Sequence, residues 1–421
     1  MSIAFRFIII GIILFLLDLY FYQAVTVVLK GASIGKRNTV FYIYWGFTAF
    51  SLFMFITTLV FPIADWPKFI RIYVFAIVIM VMISKLIGSV FVGIDDLIRF
   101  FRWVGSYFVK PAHATMVQDS GATNGISRIS FLNKLALGMA ALPFASFVYG
   151  MVKGAFDYKI HNVKVVLPKL PSEFNGLKII QISDIHSGSF VSAKPLEEAV
   201  KLINAQKPDI IFFTGDLVND RSVEMEPFMN VLNKLEAPMG VFSTLGNHDY
   251  GDYVAWESDD AKRQNLEDLK TIHAQLGWKL LMNEHVALKK QDAEIALIGI
   301  ENWGDKLRFP KYGDMKKAYA GAEKYPVKLL LSHDPSHWSN QVRQEYKDVD
   351  ITFSGHTHGF QFGIEIPGFK WSPSQYVYKQ WAGLYNDGNQ HLYVNRGLGF
   401  LGYPGRVGIL PEITVMELYN A

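Results

Sequence analysis

The sequence predicts an N-terminal four-helix transmembrane region followed by an α/β domain. Three observations predict it. Four long, nearly uncharged runs fall within residues 1–153. From about Tyr158 onward, short apolar runs alternate with amphipathic ones. Beyond the ends of five of those short runs stand Asp, His and Asn residues, with glycine beside nearly every one.

Composition narrows the function. Of 421 residues, 50% are apolar and 19% charged, against about 25% charged in a typical soluble domain. Part of the chain therefore belongs in lipid. The net charge of +3, from 41 bases and 38 acids, is too balanced for a dedicated nucleic-acid binder. Nor is there a basic stripe interleaved with stacking aromatics, which argues against a nuclease. No cysteine is present, which excludes disulfides, thiolate metal sites and cysteine nucleophiles. Any metal must be held by His, Asp, Glu or Asn, a donor set that favours ions such as Mn, Fe, Mg or Zn.

The spans are expected at 7–28, 40–61, 73–94 and 135–152, each near the roughly 20 residues a bilayer requires. Asp18 interrupts the first, Lys85 the third and Pro143 the fourth. Four runs exceed what a signal peptide explains. Buried intramembrane charges are costly, so Asp18 and Lys85 are expected to pair or snorkel. The segment IDDLIRFFRWVGSYF, from Ile94, reads as a surface-lying helix.

Lysine and arginine set the orientation. The first and third loops hold eight of them: Lys30, Lys36, Arg37, Arg99, Arg102, Lys110, Arg128 and Lys134. The other side holds four: Arg6, Lys68, Arg71 and Lys153. The basic loops are expected to be cytoplasmic. Residues 158–421 then lie on the outer, periplasmic side of a bacterial inner membrane. Omitting the fourth span would reverse this. The stretch SRISFLNKLALGMAALPFA, from Ser127, resembles a twin-arginine export signal with Ile129 in place of the second arginine. It also reads as an ordinary helix with a basic flank. Either reading sends the following chain outward.

In the second region, LKIIQIS, DIIFFTG, GVFSTLG, EIALIGI, VKLLLSH, DITFSG and HLYVNRG read as strands. AKPLEEAVKLINAQ and MEPFMNVLNKLE read as helices. The alternation argues for an α/β domain, with strands apolar on both faces because both are covered. Asp184 and His186 follow the first strand, and Asp216 the second. Asn247 and His248 follow the third, His333 follows VKLLLS, and His356 and His358 follow DITFSG. Sites in open α/β sheets form beyond the strands' carboxyl ends. Each cluster alone reads as a turn or a helix cap. Five together, with glycines that let the backbone approach an ion, do not. Asp184, His186, Asp216, Asn247, His333, His356 and His358 make seven ligand candidates. Seven suits two metals that share one carboxylate, an arrangement able to clamp a phosphoryl group.

SDIHSG, GDLVND, GNHD, LSHD and GHTHG resemble, in order, the five motifs of calcineurin-like metallophosphoesterases. YVNRGLG and PEITVMEL resemble the tail of that family's membrane-associated or exported bacterial branch. The resemblance covers roughly residues 160–421 and implies a β-sandwich flanked by helices. It implies that Asp184, His186 and His358 hold one divalent metal (Mn, Fe or Zn) and Asn247, His333 and His356 a second. Asp216 would bridge them, and His248, not a ligand, would sit over the leaving-group oxygen as a general acid or a donor to transition-state charge. The sequence departs from the pattern twice. Asn219 stands where many members carry the Asp that orients the catalytic His, with Asp220 next to it. Phe360 replaces a common glycine. It reads either as lining the site or as packing, and packing is preferred.

The expected activity is dinuclear-metal-dependent hydrolysis of a phosphodiester, pyrophosphate or phosphomonoester, with the bilayer and a phosphorylated small molecule or lipid as partners. The short link from the spans favours a lipid-linked or envelope substrate. The aromatic tail, with Phe369, Trp371, Tyr376, Tyr378, Trp381 and Tyr385, reads as a lipid-facing lip or as ordinary packing. Hydrolysis of a UDP-linked lipid A precursor is a family precedent, but it needs an inward-facing site. A degenerate binding or sensing module is the alternative from another class, and retention of all eight site residues argues against it. Arg396 reads as a fork for substrate phosphate or as the partner of a nearby acid.

Overall fold

The structure, a computed structural model, describes residues 3–61, 66–108, 128–306, 309 and 311–421. The chain divides into two compact units, Met1–Val148 and Tyr149–Ala421. Lys110 and Ser127, used above for orientation and for the export-like motif, lie outside the described residues.

Among the described residues, four α-helices carry the N-terminal region: α1 (Ile3–Val28), α2 (Ile34–Val60), α3 (Phe75–Phe108) and α4 (Arg128–Val152). All four are long and apolar enough to cross a membrane. Ser33 caps α2 by accepting from the Lys36 N–H, which replaces one bond the helix start lacks. The third helix differs from expectation. The segment from Ile94 does not lie apart but continues α3, so that helical structure runs from Ile70 to Phe108, 39 residues. At about 1.5 Å per residue this is about twice the thickness of the hydrocarbon core, so one end of α3 stands clear of it. Its last turns carry Asp95, Asp96 and Arg99; the Arg99 Nε lies 3.3 Å from Asp95.

The two intramembrane charges pair. Lys85 Nζ lies 2.6 Å from Asp18 Oδ1, and both residues are buried. The Lys85 ammonium sits 4.3 Å from the Tyr44 ring centre, and the Tyr44 hydroxyl donates to the Asp18 carbonyl at 2.8 Å. Neither charge then meets hydrocarbon alone.

Among the described residues, the second unit holds fourteen strands. They are β1 (Lys159–Val166), β2 (Leu177–Ile182), β3 (Ile210–Thr214), β4 (Val241–Thr244), β5 (Trp278–Leu280), β6 (Glu284–Lys290) and β7 (Ala293–Gly299). The rest are β8 (Lys328–Leu331), β9 (Ile351–Ser354), β10 (Ile364–Ile366), β11 (Phe369–Trp371), β12 (Gly383–Asp387), β13 (Gln390–Val394) and β14 (Glu412–Tyr419). One six-stranded sheet has the order β1-β14-β2-β3-β4-β5, and the other β12-β13-β9-β8-β7-β6. β10 and β11 form a separate antiparallel hairpin.

Alternation along the strands explains the layers. Ile179, Ile210 and Phe212 of the first sheet meet Leu329, Leu331, Ile351 and Phe353 of the second in one core. Their chain neighbours Ile180, Ile211 and Phe213 point the other way, onto Leu196, Ala199 and Ile203 of α5 (Lys194–Ala205). Successive strand residues face opposite sides, so a strand covered on both faces is apolar throughout. All seven runs read as strands are strands. The stretch MEPFMNVLNKLE is less helical than expected: a 3₁₀ segment, Ser222–Phe228, precedes a single turn, Met229–Leu232.

Candidate dinuclear metal centre

β2, β3 and β4 run parallel in one sheet, and β8 and β9 run parallel in the other. Asp184 and His186 follow β2, Asp216 follows β3, and Asn247 and His248 follow β4. His333 follows β8, and His356 and His358 follow β9. The structure brings all eight to one rim, where both sheets contribute.

The backbone there is unusual. Asp184, His186, Asp216, His356 and His358 have φ of 52°, 49°, 59°, 72° and 49°. Non-glycine residues seldom adopt this left-handed region, and each such residue costs about 1–3 kcal/mol and persists only where its surroundings enforce it. Here they do. The Asp184 N–H donates to the Gly215 carbonyl at 2.9 Å and the His186 N–H to that of Asp216 at 3.1 Å. The His356 N–H donates to the Asp184 carboxylate at 3.0 Å. From His358 to Gln361 four consecutive residues have φ between 49° and 56°. Buried Gln361 fixes this turn: its amide donates to the Tyr403 carbonyl at 2.8 Å and accepts from the Leu401 N–H at 2.6 Å.

Two groups of donors result. The ligating atoms of Asp184, His186 and His358 lie within 4.8 Å of one another, and so do those of Asp216, His333 and His356. Within the first, the Nε2 atoms of His186 and His358 are 3.0 Å apart, and His358 Nε2 is 3.3 Å from Asp184. Asp216 Oδ2 touches both groups, at 3.1 Å from His333 Nε2 and 3.5 Å from His186 Nε2. Asn247 presents Oδ1 to His356 Nδ1 at 2.8 Å, while its Nδ2 donates to the Tyr253 hydroxyl at 2.8 Å.

Outer partners orient the rings. His333 Nδ1 donates to the Thr214 carbonyl at 2.7 Å, which turns Nε2 toward Asp216. His356 Nε2 lies 2.8 Å from the Tyr378 hydroxyl, which leaves Nδ1 toward the cluster. Arg406, fully buried, reaches within 3.1 Å of His358 Nδ1 and donates to the Gly399 carbonyl at 2.6 Å.

Burial, partly opposed by Asp216, lowers His186 to about 3. Burial lowers His356 to about 4 and, with His186 and Arg406, holds His358 well below its usual range. These rings stay neutral, the form that binds metal. Burial acts to raise Asp216, but His333, His248 and His186 outweigh it and hold the carboxyl well below the usual carboxylate range. Burial also acts against His333, yet Asp216 lifts it to about 10. Buried carboxylate oxygens and imidazole nitrogens converge here, and nitrogen and oxygen donors of this kind fit two divalent cations. The backbone leaves room for them: a Cβ at Gly246 would strike the Asp216 carboxylate, and one at Gly355 that of Asp184.

Two family profiles match the chain. One, described as "Probable Calcineurin-like phosphoesterase, transmembrane domain", covers residues 5–155. The other, "Calcineurin-like phosphoesterase", covers residues 177–360. A UDP-2,3-diacylglucosamine pyrophosphatase, LpxG, of Chlamydia trachomatis is 30% identical over 55% of this chain and 81% of its own length. The chain belongs to the calcineurin-like metallophosphoesterase family. It is a membrane protein of that family, since the matched profile includes the transmembrane domain. The phosphodiesterase YaeI of Escherichia coli is 28% identical over 70% of this chain and 99% of its own. A zebrafish "Transmembrane protein with metallophosphoesterase domain" is 30% identical over 65% of this chain, which spans 60% of that relative's length.

Around the metallophosphoesterase core, several residues gain roles that motif spacing does not show. His248 Nδ1 lies 2.7 Å from the backbone carbonyl of Asn219, so the carbonyl, not the Asn219 side chain, fixes this ring. The Asn219 amide meets Ser189 instead. Asp220 is pushed up to about 6 by burial, with His248 opposing. Asp249, last residue of the GNHD motif, is buried and binds four backbone N–H groups. They belong to Gly246 at 2.8 Å, Asp216 at 2.9 Å, Leu217 at 2.8 Å and Val218 at 3.3 Å. It clamps the loops that carry Asp216 and Asn247.

The ligand residues open into a cavity of about 190 Å³, walled also by Phe309, Phe360, Val377, Tyr378 and Leu401. Phe360 is 52% exposed, so it lines the mouth and is not a packing residue. A larger hollow, about 650 Å³, lies around Lys207, Asp209 and Gly277 at the amino ends of β3, β4 and β5. It lies away from the metal-binding rim and contains no histidine. Arg396 is buried between two acids, 2.5 Å from Glu412 and 2.5 Å from Glu365. It serves the fold, not a substrate phosphate. Of the aromatic tail, Tyr378 and Trp381 are buried and belong to the core.

Proposed function

We propose that this chain is a membrane-anchored phosphoesterase that uses two divalent metals, with Mn, Fe or Zn suited to the donors, to hydrolyse a lipid-linked or envelope phosphodiester or pyrophosphate. The observation that carries the reading is the position of Asp216 Oδ2, in contact with a ring nitrogen of each three-residue group. Asp184, His186 and His358 would hold one ion and Asn247, His333 and His356 the other, with Asp216 shared. Bound there, the pair would supply positive charge to the phosphoryl oxygens and make water a nucleophile near neutral pH.

The remaining chemistry belongs to the protein. The Asn219 carbonyl keeps a proton on His248 Nδ1, so Nε2 is the atom that carries and gives up a second proton. His248 lines the cavity and is placed to give that proton to the departing oxygen. Tyr378, Tyr253 and Thr214 hold ligand orientation. The hydrolysed bond is P–O: water's oxygen joins phosphorus, and the leaving oxygen takes the His248 proton. The pyrophosphatase named above is a relative with a nucleotide-linked lipid substrate, which supports an amphiphilic substrate here. The basic loops support an outward-facing domain at the bacterial inner membrane.

The test is hydrolysis of a chromogenic phosphodiester by the purified full chain with Mn²⁺. Chelation should abolish it, and Asp216→Asn should lose bound metal and turnover together. Full activity in the presence of chelator would refute the reading.

A further inference from the structure

The β10–β11 hairpin is amphipathic across its two faces. Pairing places Glu365 opposite Lys370, with Ile364 opposite Trp371 and Ile366 opposite Phe369. The charged face turns inward. Glu365 pairs with buried Arg396, and Lys370 donates to the Ala382 carbonyl and lies over the Trp381 ring. These contacts plant the ribbon on the domain. The other face is left open: Ile364 is 48% exposed, Ile366 58% and Phe369 52%. Phe362, two residues upstream on the same alternation, is exposed as well. Within residues 362–371 both charged side chains, Glu365 and Lys370, lie on the inward face.

A short ribbon has no reason of its own to show water such a face. Contiguous exposed apolar surface marks a contact with a partner or a membrane. Three facts select the membrane. First, the chain is membrane-bound through four spans, and α4 ends at Val152 while β1 begins at Lys159. Fully extended, the link can reach only on the order of 20 Å, so the domain works beside lipid. Second, Trp371 and Tyr376 border the apolar face and touch each other through the indole N–H, and such aromatics settle at the headgroup level. Third, the ribbon starts next to the metal cavity: Phe360, which lines its mouth and is itself exposed, lies two residues before Phe362 in the chain.

We infer that this hairpin docks into the lipid surface, with Phe362, Ile364, Ile366 and Phe369 reaching the headgroup–acyl boundary. Phe360 then forms an apolar ramp from that boundary to the ligand rim. The substrate class that fits is an amphiphile whose acyl or prenyl part stays in the leaflet while its phosphoryl group enters the cavity. The docking rests on membrane attachment and not on turnover, so it can fail while the hydrolytic reading stands, and the reverse.

The natural absence of cysteine allows a direct test on the full chain in phosphatidylethanolamine–phosphatidylglycerol vesicles. Ile366→Cys, Phe369→Cys and, as a water-facing control on α5, Lys201→Cys each receive one environment-sensitive fluorophore. The hairpin probes should emit to the blue of the control, lose emission to brominated lipid and resist aqueous iodide. The Lys201→Cys probe should do the opposite. Iodide quenching of the hairpin probes equal to the control overturns the inference. So does shielding from iodide without loss to brominated lipid, fading as protein is diluted in the bilayer; that pattern assigns the face to a second copy of the chain.

Discussion

Asp249 carries a prediction that separates architecture from ligation. Its two oxygens accept four N–H groups, two each: Asp216 and Gly246 on Oδ2, Leu217 and Val218 on Oδ1. Asp249→Asn keeps the volume but turns one oxygen into a donor. Whichever oxygen is lost, two backbone N–H groups face another N–H. Two buried N–H groups left without an acceptor, at about 1–3 kcal/mol each, place the loss at about 2–6 kcal/mol. That loss falls on the loops that carry Asp216 and Asn247, though Asp249 is no ligand candidate itself. The expected result is a lower melting temperature together with less than one equivalent of bound Mn²⁺, measured by differential scanning fluorimetry and elemental analysis in detergent. If the Asn variant melted and bound metal as the native chain does, the clamp described here would not exist.

Three further outcomes are expected. His248→Ala should keep its metal content and lose turnover by about 10²–10⁴-fold, the usual size of acid–base help; unchanged turnover would remove the proton-donor role. Asp18→Asn or Lys85→Met alone should destabilise the membrane region by about 3–5 kcal/mol, because each strands a buried charge, while the double substitution should recover most of it; thermal melts in detergent read both. Glu412 sets an acid limit. Burial works to raise it, but Arg396 outweighs burial and brings it down to about 2. A carboxyl depressed in the folded state adds stability above its unfolded pKa, and the contribution fades as pH falls through the folded one. Against an ordinary value near 4.5, this amounts to about 3 kcal/mol, lost between about pH 4.5 and pH 2. Glu412→Gln should flatten the melting temperature across that window.

Much of the catalytic unit was legible because its strands are buried on both faces. LKIIQIS and DIIFFTG announce themselves by continuous apolar character, and polar residues just beyond them stand out. What escaped notice lacks that contrast. β6 (EHVALKK) is an edge strand with three charged residues and mostly half-buried positions. β10 and β11 are three residues each. The helix Asp259–Gln275 buries only Asn265, Leu269 and His273, too few to draw a stripe. At the site, residue type and spacing pointed to the eight polar side chains. The left-handed backbone at five of them depends on contacts between distant loops, which no local pattern encodes. Arg406 and Tyr378 act from far along the chain, and only the folded arrangement brings them to His358 and His356. Aromatic density in the tail could not distinguish Phe369, which faces outward, from Trp381, which is core.

The donors come from two different sheets: β2, β3 and β4 on one side, β8 and β9 on the other. An ion shared across that seam is also a rivet. Every tenfold rise in free cation above its dissociation constant adds about 1.4 kcal/mol to the cohesion of the sandwich. The melting temperature of the purified chain is therefore a gauge of occupancy, readable before any substrate is known.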